Sequence, residues 1–320
     1  MIVHGRCSKG GCQVVPIARK LSSTGVSLST KGHRERLLFA LLVFPNIALF
    51  FVFTYWPLFY DIRLSFARWD MLSPVKTWVG LANYRELLAS PTFLHILLNT
   101  LVFTLGSVGL TCALGLLVSL TLNQSLRGRD AVRSIVFSPV MLSGAAIGIV
   151  WVYIFDPRYG LLDSILRRLG AQSPNWLLDT RWAMAAIIIV YVWKNLGYAV
   201  VIYLAGLKAI PRELYEAAVV DGAGPLGRFA YVTLPGLSPV TFFLLLTNIL
   251  ASFQAFDIVK VMTDGGPIDA TTTLIYYLYQ EGFVGFNAGR AGVAAVLLFG
   301  MMLAVTLAQT HYGEKHVHYA

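Results

Sequence analysis

Polar and ionisable residues set inside long apolar runs are where this chain could do chemistry, since each is costly there unless it is paired or used. Lys194 stands in "VWKNLGY" with Asn195 and Tyr198 close by. A cation in such a place suits an anionic ligand such as a phosphate, or a structural and gating role. Asn248, Ser252, Gln254 and Asp257 fall in the apolar run from Pro239 to Val261. At about 100° per residue, Asn248 and Ser252 share one helix face and Gln254 and Asp257 another. Either pair could line a polar cavity or hydrogen-bond between helices. Tyr276, Tyr277 and Tyr279 read as interfacial anchors before binding contacts.

The motifs of catalysis are missing. The chain has no G-x-x-x-x-G-K-[ST] phosphate loop, no H-E-x-x-H and no G-x-S-x-G. His311, His316 and His318 gather in "HYGEKHVHY" and read as a solvated tail rather than a metal site. Cys7, Cys12 and Cys112 make neither a disulfide framework nor a zinc site. No catalytic residue, cofactor or metal is expected in this chain.

The elements that must position these groups follow from composition. Hydrophobic residues make up 57% of the 320 positions and charged residues 13%. A soluble domain carries about 25% charge, so the fold class expected is an all-α integral membrane protein. Six apolar runs approach the ~20 residues that a span needs: 37–60, 96–122, 134–155, 183–207, 239–261 and 292–309. Runs this long satisfy their own peptide groups in lipid only as helices.

The net charge of +9 then reflects bases flanking spans, not nucleic-acid binding. Lys31, Arg34 and Arg36 precede the first run, Arg127, Arg129 and Arg133 fill a short link, and Lys208, Arg212 and Arg228 fall between the fourth and fifth. With six spans these groups share one side, which the positive-inside rule makes cytoplasmic. The opposite loops mix bases with Asp61, Asp70, Asp156 and Asp163. Both termini are then cytoplasmic. Residues 1–36 read as a disordered tail without a signal-peptide pattern, 37–310 as the membrane domain and 311–320 as a second tail.

One charged, kinked segment, 208–236, separates the fourth and fifth runs. Pro211 suits a first helical position, and Glu213 and Glu216 favour the first turns of a helix. Ala217 and Ala218 are small and strongly helical, and Gly222 can take the left-handed turn after Asp221. A short helix from Pro211 to about Asp221 is expected. A second should start at Pro225 and be broken by Pro235. Ala217 and Ala218 leave an edge against which a partner could pack.

The spacing Glu216-Ala217-Ala218, Gly222, then Val232-Thr233-Leu234-Pro235 resembles the signature loop of binding-protein-dependent ABC importer permeases. Val232 stands where that family often has Ile. "WVGLANYRELL", "FDPRYGLLD" and "MTDGGPIDATTTLIYYLYQEGF" resemble further segments, so the likeness runs from about Leu37 to Leu307. "DGAGP" and "ATTTLIY" are most similar to the first permease subunit of glycerol-3-phosphate or glycerophosphodiester importers.

The resemblance implies half of a heterodimeric pore completed by a homologous permease. Two ATPase subunits, carrying ATP and Mg, would grip a coupling helix at Glu216, Ala217, Ala218, Asp221 and Gly222, with Leu234 and Pro235 behind it. An external solute-binding protein would touch Gly265, Gly266 and Pro267. The Trp-Lys pair before Asn195 is similar in sugar permeases, which favours a structural or gating role for Lys194. A di- or oligosaccharide permease, and a membrane scaffold or receptor without transport, are the alternative functions.

Overall fold

The structure, a computed structural model, describes residues 28–124 and 127–316. Cys7, Cys12 and His318 lie outside the described residues. The chain divides into two units, one ending at Pro57 and the other beginning at Leu58.

The first unit is helical from the outset of the described residues. Helix α1 spans Leu28–Phe50 and passes through a π turn, Phe51–Tyr55, into α2, Trp56–Ser65. Helix thus already covers 28–36, ahead of the expected start at Leu37. Phe39, Leu42, Phe44 and Phe53 are exposed. No residue in the most apolar stretch of this span is buried within the protein.

In the second unit, a two-residue antiparallel ladder, Ala67–Arg68 with Thr77–Trp78, precedes α3, Ala82–Leu88. Then come α4 (Pro91–Leu122), α5 (Arg129–Phe137), α6 (Gly144–Ile154), α7 (Leu161–Arg168) and α8 (Ala183–Ala209). Small residues decide how α4 meets α8. A Cβ on Gly115 would come within 2.7 Å of the Ala199 Cβ, so the two backbones approach as only glycine allows. Val108, Cys112, Ala199, Tyr203, Leu207 and Leu244 fill the cluster around that crossing.

Among the described residues, four helical segments are long and apolar enough to cross a membrane: Leu38–Ser65, Pro91–Leu122, Ala183–Ala209 and Ala288–His311. Two of the expected spans differ from the sequence reading. The third is a pair of helices, Arg129–Met141 and Gly144–Ile154, bent by 106°. Pro139 lies in a 3-10 turn, Ser138–Met141, and Ser143 caps a new helix by accepting the Ala146 N–H at 3.2 Å. A proline followed by a good N-cap is a stop and a restart.

The fifth is likewise displaced. After α9 (Arg212–Val220), α10 (Pro225–Arg228) runs through a π turn, Phe229–Thr233, into α11 (Leu234–Gly236), and α12 (Ser238–Phe253) follows at 61°. Pro235 therefore sits inside the helical run instead of ending it. The wide turn before it accommodates the ring and the missing N–H. Helix α12 ends at Phe253, and α13, Asp257–Met262, starts afresh. Gln254, in the break, and Asp257, in α13, thus do not share a face of one continuous helix. Helix α14 (Leu274–Tyr279) and α15 (Ala288–His316) complete the fold.

Gly115→Val is expected to lower the thermal midpoint measured by fluorescence-detected size exclusion, since overpacking of this kind costs about 1–3 kcal/mol. Gly109→Ala, on the same helix with nothing within 4 Å of an added Cβ, is expected to leave the midpoint unchanged or raise it.

Candidate functional site

Helix α9 stands at one end of α12 and is built to be seen. Pro211 is its N-cap, one position earlier than the sequence reading placed it, and Glu213 lies in its first turn. Its end is a Schellman cap: the Gly222 N–H donates to Val219 O at 3.0 Å and the Ala223 N–H to Ala218 O at 2.8 Å. Gly222 takes φ +80° with no atom pressing on it. Its identity is set by that backbone angle rather than by space.

Glu216, Ala217 and Asp221 are exposed, and Ala218 and Pro235 half-buried. Around them Val220 is 87% exposed, Leu226 84% and Tyr231 83%, and Leu214, Val219 and Leu234 are also open. Large apolar side chains left open in one short segment mark a candidate interaction surface. The signature spacing located Glu216 and Gly222. It did not flag Val220, Leu226 or Tyr231, whose apolar side chains resemble any others until the fold exposes them together.

The polar residues of the spans separate into ties and free groups. Asn195 Nδ2 donates to Tyr191 O at 2.9 Å, and Asn248 Nδ2 to Leu244 O at 2.8 Å, each within its own helix. Ser252 is buried, with its hydroxyl 2.8 Å from Ile249 O and 3.1 Å from Thr104 Oγ1 on α4. Ser252 thus ties α12 to α4, and Asn248 is held within α12. Tyr198 packs half-buried beside the Cys112 cluster. Asp257 is half-buried with its carboxylate against Gly144, and it accepts the Ile258 N–H at 2.9 Å. Gln254 is exposed at the break. Lys194 is half-buried, and among the described residues it makes no hydrogen bond or ion pair.

Beyond the other end of α12 lies the segment with Gly265, Gly266 and Pro267. Gly265 takes φ +82°, and a Cβ there would meet Thr272 Oγ1 and Tyr276 Cε1, both at 2.6 Å. Thr271 Oγ1 donates to Gly266 O at 2.7 Å, and Thr272 Oγ1 to Gly265 O at 3.1 Å. Helix α4 pins the loop from below. Asn99 Nδ2 donates to Asp269 O at 2.8 Å, and Thr100 Oγ1 accepts the Leu274 N–H at 2.8 Å. Sequence reasoning missed Asn99 and Thr100, although buried polar residues in an apolar run were the available signal.

Asp264 receives the Lys260 Nζ and the Tyr276 hydroxyl, each at 2.6 Å. The Lys260 bond, then the Tyr276 bond, hold its carboxyl below the usual range. Burial and then Asp264 push the Tyr276 phenol up to about 12.

A mostly helical chain with long apolar helices, bent helix pairs, a presented helix at one end of α12 and a tied loop beyond the other defines the class: an integral membrane protein. Residues 111–313 match the family described as binding-protein-dependent transport system inner membrane component. The chain belongs to that family and is a permease subunit of an ABC importer. It is 37% identical over 281 residues to the sn-glycerol-3-phosphate transport system permease protein UgpA of Brucella abortus biovar 1 (strain 9-941), covering 87% of this chain and 95% of that one. The protein of the same name from Agrobacterium fabrum (strain C58 / ATCC 33970) is 36% identical over 286 residues, covering 89% and 97%. Among solved structures, a bacterial ABC transporter involved in the import of the acidic polysaccharide alginate superposes with a TM-score of 0.77 at 25% identity, covering 89% of this chain and 97% of that one.

The Asp264 clamp works with a charged carboxylate. Because its acidity is enhanced in the folded loop, its contribution is held at neutral pH and lost as pH falls below the ordinary carboxylate range. Amide exchange through 263–273, corrected for the intrinsic rate, is expected to rise on acidification. Asp264→Asn should show the same rise at neutral pH and little further change in acid.

Proposed function

We propose that this chain forms half of a heterodimeric pore importing glycerol-3-phosphate or glycerophosphodiesters by alternating access. A homologous permease completes the pore. The observation that carries the coupling part is α9, a capped, exposed helix with an apolar rim. Such a surface lets ATPase subunits act on a chain that has no phosphate loop of its own. On this reading ATP and Mg belong to those two subunits. Their closure biases the permease between two states through differential contacts on α9.

Each bent pair counts as one span, giving six, and α9 is the coupling helix between the fourth and fifth. The α9 face is cytoplasmic, together with the N-terminal and C-terminal segments that precede the first span and follow the sixth. The Gly265–Pro267 loop faces outward, where a solute-binding protein delivers substrate. The alginate transporter's structure with a pentasaccharide-bound periplasmic protein supports a partner of that kind.

The substrate assignment rests on the relatives, which are named for glycerol-3-phosphate transport and are 36–37% identical over most of the chain. Lys194 is consistent with it, as an unpaired cation in the fourth span that an anionic substrate would meet. The alginate likeness supports a second reading, an oligosaccharide substrate.

Uptake by the reconstituted complex decides between them: glycerophosphodiesters or glycerol-3-phosphate should be imported and should stimulate ATP hydrolysis, and disaccharides should do neither. Glu216→Lys and Gly222→Pro are expected to abolish uptake while capture by the binding protein is unchanged. Proline cannot take φ +80°. Normal uptake by both variants would sink the coupling reading. Lys194→Met is expected to reduce uptake of the phosphate substrate, and wild-type uptake removes Lys194 from the substrate's path.

A further inference from the structure

Helix α9 is held to the rest of the protein by very little. Every residue from Arg212 to Val220 is exposed except Tyr215 and Ala218, which are half-buried. Among the described residues, Arg212, Glu213 and Glu216 make no side-chain hydrogen bond or ion pair. Tyr215 is different. Its ring packs into the cluster of Tyr203, Leu207, Ile210, Leu237 and Leu244, and its hydroxyl lies 3.0 Å from Thr233 Oγ1.

Thr233 is 5% exposed and closes the π turn that leads into α11 and α12. Its own hydroxyl points to Arg228 O at 3.4 Å. Each hydroxyl has one proton and can also accept, so the two side chains share one hydrogen bond in which either can be the donor. The chain of bonds therefore runs from α9 to the wide turn at the foot of α12. A π turn is a local insertion in the helical ladder and a recurrent site of adjustment. A load applied to α9 reaches that turn through one polar link seated in an apolar cluster.

We propose that the Tyr215–Thr233 hydroxyl pair is the positioning clamp that transmits displacement of α9 to the fifth span. The proposal rests on α9 being where the ATPase subunits dock, and it assigns the residue that turns docking into movement. Tyr215 and Thr233 are positioning residues. They act on the tilt of α12, not on substrate.

The assay uses the full importer, with both permeases, the ATPase subunits and the solute-binding protein, and reads substrate imported per ATP hydrolysed. Tyr215→Phe removes the hydroxyl and keeps the ring. It should lower that ratio about fivefold, in line with the loss of one hydrogen bond of ordinary net strength, while the ATPase subunits co-purify in wild-type amount and ATP hydrolysis continues. Thr233→Val should match it, the double variant should lose nothing more, and Thr233→Ser should restore wild-type coupling.

Full coupling in Tyr215→Phe overturns the proposal. So does loss of the ATPase subunits in that variant, which would make Tyr215 part of the docking surface. Strictly additive losses would also overturn it. Glu216→Lys separates the two levels. If it retains ATPase binding and import, the docking reading is what fails. If it loses both while Tyr215→Phe stays coupled, only the clamp fails.

Discussion

A peptide group left unpaired in lipid has no water to turn to, and this chain interrupts two of its apolar runs. The fold meets the constraint by bringing the interruptions side by side. Helix α6 starts at Gly144 with its first turn capped by Ser143, and the Asp257 carboxylate, where α13 begins, lies against Gly144. A negative charge at a helix N-terminus is favourable. One turn on, Gly148 lies against Val261 and Met262. Each break therefore lies against the other, and the irregular backbone there is sheltered by protein.

Close approach elsewhere follows from the same economy of side chains. Gly115 meets Ala199 between α4 and α8, Gly206 meets Val240 and Leu237, and Gly236 meets Ile210. Lipid supplies no hydrophobic drive for helix association, so small residues that let backbones touch carry much of the packing. Thr100 and Ser119 on α4 return their hydroxyls to their own helix. Asn99 reaches beyond it to tie a loop. The polar stripe along α4 is thus largely internal fastening, and Lys194 stands out as a charge left without a partner among the described residues.

Much of this was legible in the chain. Long apolar runs marked the helices α4, α8 and α15, because periodicity and length suffice for a straight span. The segment from Pro211 to Gly222 was legible to within a residue, because proline, alanine and glycine each dictate backbone there. The broken spans were not. Hydropathy is blind to a bend, so the run from 134 to 155 reads as continuous although Ser143 restarts the helix. At Pro235 the local rule gave the wrong outcome, because the π turn before it absorbs the ring. The faces of Gln254 and Asp257 were misjudged for the same reason: angular arithmetic holds only while the helix continues. The Tyr215–Thr233 link spans two elements and has no local signature.

Ile268 sits at the tip of the loop that Asn99, Thr271 and Thr272 hold from below. It is 88% exposed, with φ +49°. A branched side chain seldom adopts that angle, and here the surrounding bonds impose it. Nothing in the core depends on what this side chain is. The side chain can therefore be exchanged for another without unpacking the scaffold underneath, which leaves the loop's outer face and its interior separately adjustable.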